Sequence, residues 1–272
     1  YLYIGNAYFD EMMYEPALAA YQKAAQFKDS RFYDGILYKL ASTYYITNRF
    51  SEAVRAFADV CDFSEEKNKK EGRHSYFRQE SLDYIAFCYS QGAEYWSEVG
   101  VNGLNNFFER IGSRPYESYI YTKLGDNFLQ QTIYPEAIQS YKLAIQKDPW
   151  NRENPFIQKK IIDIYIVLKD NERGNAERTA LINNYGEGSE WAMQNADDPD
   201  AVKAAWDMAL DSLKQWAYYQ HAQAQRYSEL ENYEAAKKFY LAAAGAYQDF
   251  LNKFPHDKEA YVLTYRMADA NY

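Results

Sequence analysis

The sequence has few cysteines and no long apolar run, so it offers little basis for disulfides, metal-ligand pairs or membrane-spanning helices. Only two cysteines occur among 272 residues, and Cys61 and Cys88 lack the close spacing of a metal-binding pair. Both lie on segments with helical apolar periodicity, so we expect buried free thiols, with a disulfide between them as the alternative. The longest apolar run, 161–168, is interrupted by Asp163 and is too short to span a bilayer. The sequence therefore predicts no membrane insertion.

Basic stretches are also missing. The chain carries 30 Lys and Arg against 39 Asp and Glu, a net charge of −9. Because nucleic acids and anionic lipid surfaces are bound through clustered positive charge, we predict no nucleic-acid partner and no polybasic membrane contact. Glycine and proline number only 12 and 7, whereas apolar residues make up 47%. This composition excludes a disordered or collagen-like chain and predicts a large core.

The residue patterns of catalysis and cofactor binding are absent as well. The three histidines, His74, His221 and His256, are far apart in the sequence. There is no phosphate-binding glycine loop, dinucleotide fingerprint, nucleophile elbow or acidic calcium loop. We therefore predict that the chain is not an enzyme and that it needs no cofactor and no metal ion.

Tyrosine, in contrast, is abundant, with 29 copies, and aromatic residues recur at fixed distances from small ones. The clearest repeat consists of Leu124, Gly125, Phe128, Ala137, Tyr141, Ala144 and Pro149. Two further copies are Ile4, Gly5, Tyr8, Ala17, Tyr21, Ala24 and Leu40, Ala41, Tyr44, Ala53, Phe57, Val60. We interpret the tyrosines mainly as the packing of these repeats, with a tyrosine-rich binding groove as the alternative.

This spacing resembles the tetratricopeptide repeat, and the resemblance covers most of the chain. It implies an all-α fold, a right-handed superhelical array of antiparallel helix pairs with about six repeats plus a partial one. It also implies a non-enzymatic scaffold that mediates protein–protein interactions within a larger assembly. The alternative is an accessory interaction domain of a larger protein whose catalytic part lies outside this sequence.

Several copies depart from the pattern. The third copy needs about five extra residues in its turn, within 91–102, and in the fifth Arg178 stands where an aromatic residue is expected. A mixed-charge insertion occupies 62–78, which we interpret as a solvated loop, with an extension of both flanking helices as the alternative.

The departures suggest three regions. Five hairpins occupy 1–185, a glycine-rich and acidic break follows at 186–198, and an enlarged hairpin with a partial terminal repeat occupies 199–272. Asp198 and Pro199 are typical of a helix start, and the second long helix is expected from about Tyr233 to Phe254. The alanine-rich sides of the 199–254 hairpin offer a possible partner surface. The ends lack a polar capping helix, which predicts either a longer array or end faces that pack on a partner or on a second copy of this chain.

Candidate binding residues follow from the repeat register. Positions two before and two after each Leu-equivalent residue should face the concave groove, and the chosen set is Asn6, Tyr38, Ser42, Asp83, Phe87, Thr122, Asp126, Lys159, Asp163, His221 and Gln225. This mixture of polar, aromatic and acidic residues suits a neutral or basic peptide or helix. Family members that grip acidic chaperone tails have Lys where this chain has Leu2, so that ligand is not expected. The alternative is that the groove is unused and that binding involves the convex face or the edges.

The cellular setting is predicted from a local resemblance. The segment YQDFLNKFP, which begins at Tyr247, resembles repeats of bacterial envelope proteins. We therefore predict a periplasmic or outer-membrane-associated protein, with a cytoplasmic location as the alternative.

Overall fold

The computed structural model describes residues 1–91 and 96–271. In these ranges the chain forms fourteen helices and no strand, so the predicted all-α class is confirmed. The helices are α1 (Leu2–Asp10), α2 (Tyr14–Ala24), α3 (Tyr33–Ile46), α4 (Phe50–Glu71), α5 (Arg78–Tyr89), α6 (Gly100–Ile111), α7 (Glu117–Gln130), α8 (Tyr134–Lys147), α9 (Asn154–Val167), α10 (Asn171–Tyr185), α11 (Glu190–Gln194), α12 (Pro199–Glu229), α13 (Tyr233–Lys253) and α14 (Ala260–Asn271).

The chain divides into two compact units, Tyr1–Asp148 and Pro149–Tyr272. The boundary between these units falls before α9, whereas the sequence predicts a break at 186–198, and α9 and α10 share a core with the enlarged hairpin. Ile162 and Leu181 from the shorter helices belong to the same buried cluster as Leu213 and Tyr247 from the long ones. The fifth hairpin therefore belongs with the enlarged hairpin and not with the four that precede it.

The small residues of the repeat allow close approach of the two helices in a hairpin, as predicted. A methyl group at Gly5 would lie 2.5 Å from the ring of Tyr21, and one at Gly125 would lie 2.6 Å from the ring of Tyr141. Both tyrosines are fully buried. Each ring thus occupies the space that a side chain on the facing helix would need, which explains why glycine is required there.

The mixed-charge segment is mostly helical, so the predicted loop is wrong for residues 62–71. Helix α4 continues to Glu71, and Gly72 ends it with a φ of +70°, a left-handed conformation that favours glycine. Two of its charged residues are paired within the fold, since Arg78 Nε lies 2.8 Å from Glu65 and Lys67 Nζ lies 3.4 Å from Asp34. The extension concerns one helix only, because α5 begins at Arg78.

The third hairpin differs from the others in its turn. The predicted extra residues at 91–102 include 92–95, which lie outside the described residues. Helix α6 begins at Gly100, and Gly103 and Phe107, which fit the small and aromatic positions of the repeat, are both buried in it. The second helix of this copy therefore follows the repeat register despite the longer connection.

The enlarged hairpin consists of two long helices with an alanine seam. Helix α12 is 31 residues long and begins where predicted, with the Asp198 carboxylate accepting a hydrogen bond from the Ala201 amide at 3.1 Å. Helix α13 spans 21 residues. Ala205, Ala209 and Ala243 are fully buried in the core that these helices share. The alanine-rich sides are therefore internal, and a partner on the 199–254 hairpin would have to contact other side chains.

Both cysteine side chains are buried and unpaired with each other, as expected. Burial raises the pKa of the Cys88 thiol to about 12, and it also raises the pKa of Cys61 above its ordinary value. Both groups are therefore protonated and unreactive near neutral pH. Within the described parts of the chain, no helix is long and apolar enough to cross a membrane.

Candidate functional site

The predicted groove positions of the first and fourth hairpins contact the buried tyrosines behind them. The hydroxyl of Tyr21 donates a hydrogen bond to Asn6 Oδ1 at 2.8 Å, and that of Tyr141 donates to Asp126 Oδ1 at 2.7 Å. Burial raises the pKa of Tyr21 to about 12, with a smaller contribution from the charge of Asp10. One oxygen of Asn6 and one of Asp126 therefore satisfy a buried hydroxyl, and any role in binding a ligand remains a prediction.

The second hairpin has no hydroxyl at the equivalent place, because Phe57 replaces the tyrosine. Here Ser42 Oγ donates to the backbone oxygen of Tyr38 at 2.8 Å, and in the fourth hairpin Thr122 Oγ1 donates to that of Ser118 at 2.9 Å. Both hydroxyls thus bond within their own helix. Tyr38 instead stacks on Phe77, with ring centroids 4.7 Å apart.

Helices α3, α5 and α7 line an open cavity of about 460 Å³, which we call the aromatic groove. Its lining residues are Tyr45, Glu80, Asp83, Tyr84, Phe87, Lys123 and Asn127. Two of the predicted groove residues, Asp83 and Phe87, are among them. The structure therefore brings part of the predicted set to one cavity, on three successive first helices of hairpins, all within Tyr1–Asp148.

The floor of the aromatic groove is a connected set of rings. Tyr84 stacks on the core residue Phe57, with centroids 5.0 Å apart and planes 6° apart. Tyr45 lies 5.0 Å from Tyr84 and 6.2 Å from Phe87, and Phe87 is 41% exposed. Because the inner rings are held by the core, the floor presents apolar surface with little freedom to lose on binding.

The rim of the aromatic groove is acidic, with Glu80 and Asp83 facing a single cation, Lys123. The hydroxyl of Tyr119 donates to Asp83 Oδ1 at 2.7 Å, and the ammonium of Lys123 lies 5.6 Å above the ring of Tyr119. Burial and the hydrogen bond to Asp83 raise the pKa of Tyr119. The rim therefore favours cationic or neutral groups over anions.

The remaining predicted residues lie in Pro149–Tyr272 and form no common wall. Lys159 and Asp163 pair with each other one turn apart on α9. His221 lies on α12, and its side chain is buried against α13. Its Nδ1 lies 3.3 Å from the Tyr247 hydroxyl, and its Nε2 lies 3.3 Å from Asp269. The prediction that His221 faces an open groove is wrong, because the long hairpin closes over it. Gln225 is exposed.

Five groove residues were not predicted, namely Tyr45, Glu80, Tyr84, Lys123 and Asn127. Relative to the Leu-equivalent positions they lie one residue before (Tyr84 and Lys123), five before (Glu80), three after (Asn127) or five after (Tyr45), outside the two positions used for the prediction. A helical stripe at intervals of three and four through Glu80 and Phe87 also includes position 84. Extending the stripe along each first helix would have identified these side chains from the sequence.

Burial raises the pKa of Tyr45, one of the groove's lining residues, above its ordinary value. The resolved shifts of the buried tyrosines and cysteines raise their pKa values away from neutrality. Among the residues that the structure describes, no cluster of three His, Cys, Asp or Glu side chains could hold a metal ion. The arrangement is one of apolar contact and electrostatic preference.

No family model matches the chain, and a search of curated proteins found no relative. Solved structures with similar folds include the C-terminal part of a TPR repeat-containing protein from Cytophaga hutchinsonii, with 14% identity, 97% of this chain and 99% of that chain covered, and a TM-score of 0.31. They also include a Rap protein complexed with Competence and Sporulation Factor, with 15% identity, 93% and 75% covered, and a TM-score of 0.32.

A third similar structure is the TPR2AB domain of yeast Sti1 in a pHSP90 complex, with 13% identity, 100% and 97% covered, and a TM-score of 0.27. Identity and TM-scores are low in all three cases. The assignment of the fold therefore rests on the hairpins themselves, with their glycine–tyrosine contacts and repeated helix pairs. On these grounds the described residues form antiparallel helical hairpins whose glycine–tyrosine packing is similar to that of the tetratricopeptide repeat.

Proposed function

We propose that this chain is a non-enzymatic scaffold that binds segments of other proteins in the aromatic groove. The observation that carries the proposal is the open cavity of about 460 Å³ whose floor is a set of contacting aromatic rings. Exposed aromatic surface of this kind supplies apolar contact area at low conformational cost. Repeated hairpins present such surfaces on rigid helices without needing a catalytic group.

The occupant we propose is a short peptide segment with an apolar side chain and a neighbouring Lys or Arg. The apolar group would rest on Tyr45, Tyr84 and Phe87, and the cation would face Glu80 and Asp83. The two carboxylates outnumber the one rim ammonium, and the whole chain carries a net charge of −9. An acidic segment would be repelled both by the rim carboxylates and by the net negative charge of the whole chain.

Selection of random dodecapeptides displayed on phage tests both parts of the proposal. We expect the selected sequences to combine aromatic or aliphatic residues with Lys or Arg, and to lose binding to a Phe87→Ala variant. Phe156→Ala is the matched control, because Phe156 is also 41% exposed but lies on α9, outside the groove. Retention of binding by Phe87→Ala, or selection of acidic peptides, would contradict the proposal.

The charge preference has its own measurement. Replacing Glu80 by Gln removes one rim carboxylate and keeps the side-chain shape, so basic peptides should bind less tightly and their dependence on salt should weaken. Fluorescence anisotropy at several salt concentrations measures both effects. If the affinity of a basic peptide were unchanged, the rim would have no electrostatic role.

We also propose that the scaffold works within a larger assembly in a bacterial envelope. The support is the likeness of the segment that begins at Tyr247 to repeats of envelope proteins. Fractionation of cells that express the complete gene product tests this location. Recovery in the cytoplasmic fraction would favour the alternative setting, and a catalytic domain in the complete product would favour an accessory role.

A further inference from the structure

A second cavity lies in Pro149–Tyr272, at the place where the repeat pattern is broken. In the first and fourth hairpins this register position holds Tyr21 or Tyr141, packed on a glycine. In the fifth hairpin it holds Arg178, and the facing position holds Ile162. The fifth hairpin thus has a branched side chain where the first and fourth have the glycine that admits the ring, and a long cation where they have the ring.

The guanidinium of Arg178 is buried, and one of its nitrogens has no hydrogen-bond partner. The residue is 5% exposed, its Nη1 has no hydrogen-bond partner, and its central carbon lies 4.4 Å above the ring of Trp216. Asp163, which stands at the register position of Asp126, is ion-paired with Lys159. Burial lowers the pKa of Arg178 to about 10, and the charge of Asp163 offsets this only in part. The group stays charged near neutral pH, and a buried charge of this kind is unfavourable unless something neutralises it.

Arg178 lines a cavity of about 440 Å³ between α10, α12 and α13, which we call the Arg178 cavity. Apolar surface in it comes from Ile182, Leu213 and Trp216. The hydrogen-bonding groups include Asn175 and Asn183. Apolar walls with a few polar groups, in a volume of this size, are typical of ligand sites.

The charges around the Arg178 cavity are unlike those of the chain as a whole. Two cations line it, Arg178 and Lys253, against one carboxylate, that of Asp249. Lys253 Nζ donates to Asn183 Oδ1 at 3.3 Å, which holds this ammonium beside the cavity. A local excess of positive charge in a chain of net charge −9 is the electrostatic condition for an anionic ligand.

We propose that the Arg178 cavity binds a carboxylate attached to an apolar group, namely the C-terminal residue of a partner peptide. The planar guanidinium matches the two oxygens of a carboxylate, and Trp216 fixes the plane of the fork. The apolar walls receive the side chain of the last residue. One arginine with apolar surroundings suits a carboxylate better than a phosphate, which is usually held by several cations or by a helix N-terminus.

Nuclear magnetic resonance titration of the full chain, followed at the Trp216 indole N–H, tests this site. The probes are acetyl-Ala-Ala-Leu with a free carboxylate, the same peptide as its carboxamide, acetyl-leucine and inorganic phosphate. We expect saturable binding of the free tripeptide and at least about tenfold weaker binding of the carboxamide. Equal binding of acetyl-leucine would mean a site for small organic acids and would overturn the peptide assignment. Equal binding of the carboxamide or of phosphate would overturn the carboxylate site.

Three variants separate binding from folding. Arg178→Met removes the charge and keeps an unbranched side chain, so it should abolish carboxylate binding while the melting temperature stays the same or rises. Gly245→Leu leaves Arg178 intact and fills the cavity from α13, where an added Cβ would meet nothing within 4 Å. Arg266→Met is the matched control, since Arg266 also lies over an aromatic ring, that of Tyr218, at 5.2 Å, but outside the cavity.

The variants give clear outcomes. Loss of binding in Arg178→Met and Gly245→Leu, with normal binding in Arg266→Met, supports the site. Retained binding in Arg178→Met overturns it. A sharp fall in the melting temperature of Arg178→Met would show that the arginine serves the fold, and it would remove the argument for a ligand. None of these results depends on the aromatic groove, which lies in Tyr1–Asp148.

Discussion

Replacing Gly125 by Ala tests the packing on which the repeat depends. A methyl group at this position would lie 2.6 and 2.7 Å from two ring carbons of Tyr141, whereas ordinary contact begins at 3.4 Å. The ring would have to move by about 0.8 Å, the difference between 3.4 and 2.6 Å. Because the hydroxyl of Tyr141 lies 2.7 Å from Asp126 Oδ1, a shift of that size weakens or breaks this hydrogen bond.

Three effects set the change in the free energy of unfolding for Gly125→Ala. Alanine in place of glycine stabilises a helix interior by about 1 kcal/mol. Overpacking costs about 1–3 kcal/mol, and loss of a hydrogen bond to a carboxylate costs about 1.5–3 kcal/mol. The unfavourable effects outweigh the helix gain, so we expect a net destabilisation of about 1.5–5 kcal/mol.

Equilibrium urea unfolding, followed by circular dichroism and tyrosine fluorescence, measures this loss. Gly35→Ala is the matched control within the same unit, because a methyl group at Gly35 would make only ordinary contact, 3.4 Å from Phe77. The control should be neutral or stabilised by up to about 1 kcal/mol. If Gly125→Ala were as stable as Gly35→Ala, the close approach of α7 and α8 would not limit this hairpin, and the account of the repeat given above would be wrong.

Further predictions concern buried charges and the hairpin seam. Burial acts to raise the pKa of Glu117, but Lys147 at 2.6 Å and the Arg114 amide lower this pKa overall. The free energy of unfolding should therefore decrease as the pH is lowered below about 4.3. Glu117→Gln should make the free energy of unfolding less dependent on pH in this range. Lys147→Met leaves the buried carboxylate of Glu117 without its cation and should lower the free energy of unfolding by about 2 kcal/mol at pH 7, measured in urea. The loss is smaller than for a fully buried pair because Lys147 is partly exposed. Ala209→Glu places a carboxylate at a fully buried position and should increase hydrogen exchange in Pro149–Tyr272 alone. Asp62→Asn weakens the acceptor of Arg114 Nε, 2.8 Å away, and should lower the melting temperature by a few degrees. Unchanged values in these four experiments would contradict the respective assignments.

The sequence was most informative where one residue type is required by sterics. The pair Gly125 and Tyr141 has the same spacing as the pair Gly5 and Tyr21, and close packing of two helices explains this spacing. The hairpins could therefore be predicted from the repeated spacing. The same approach failed at 62–71, because charged residues predict a loop only if their charges have no partners. Glu65 and Lys67 find theirs in Arg78 and Asp34, which the sequence cannot place nearby.

The groove could be predicted only in part for a similar reason. The repeat register correctly predicted that Asp83 and Phe87 line one cavity, because both lie on the side of α5 that faces the aromatic groove. Register also assigned His221 to an open surface, although α13 covers it in the enlarged hairpin. The position of a residue within a repeat fixes its direction on its own helix, but its exposure depends on the length of the neighbouring helix.

One register position on the second helix of the hairpins accounts for much of what distinguishes this chain. Where it holds Tyr141, the hydroxyl ties the second helix to the first through Asp126. Where it holds Phe57, no hydroxyl is available, and the ring instead stacks on Tyr84 and supports the floor of the aromatic groove. Where it holds Arg178, a buried guanidinium with one unpartnered nitrogen lines a cavity. A tyrosine at this position links the two helices of its hairpin through its hydroxyl, so each departure from tyrosine leaves surface or charge available for a ligand. The exceptions to the repeat are therefore the places to look for binding, and the regular copies hold those places in position.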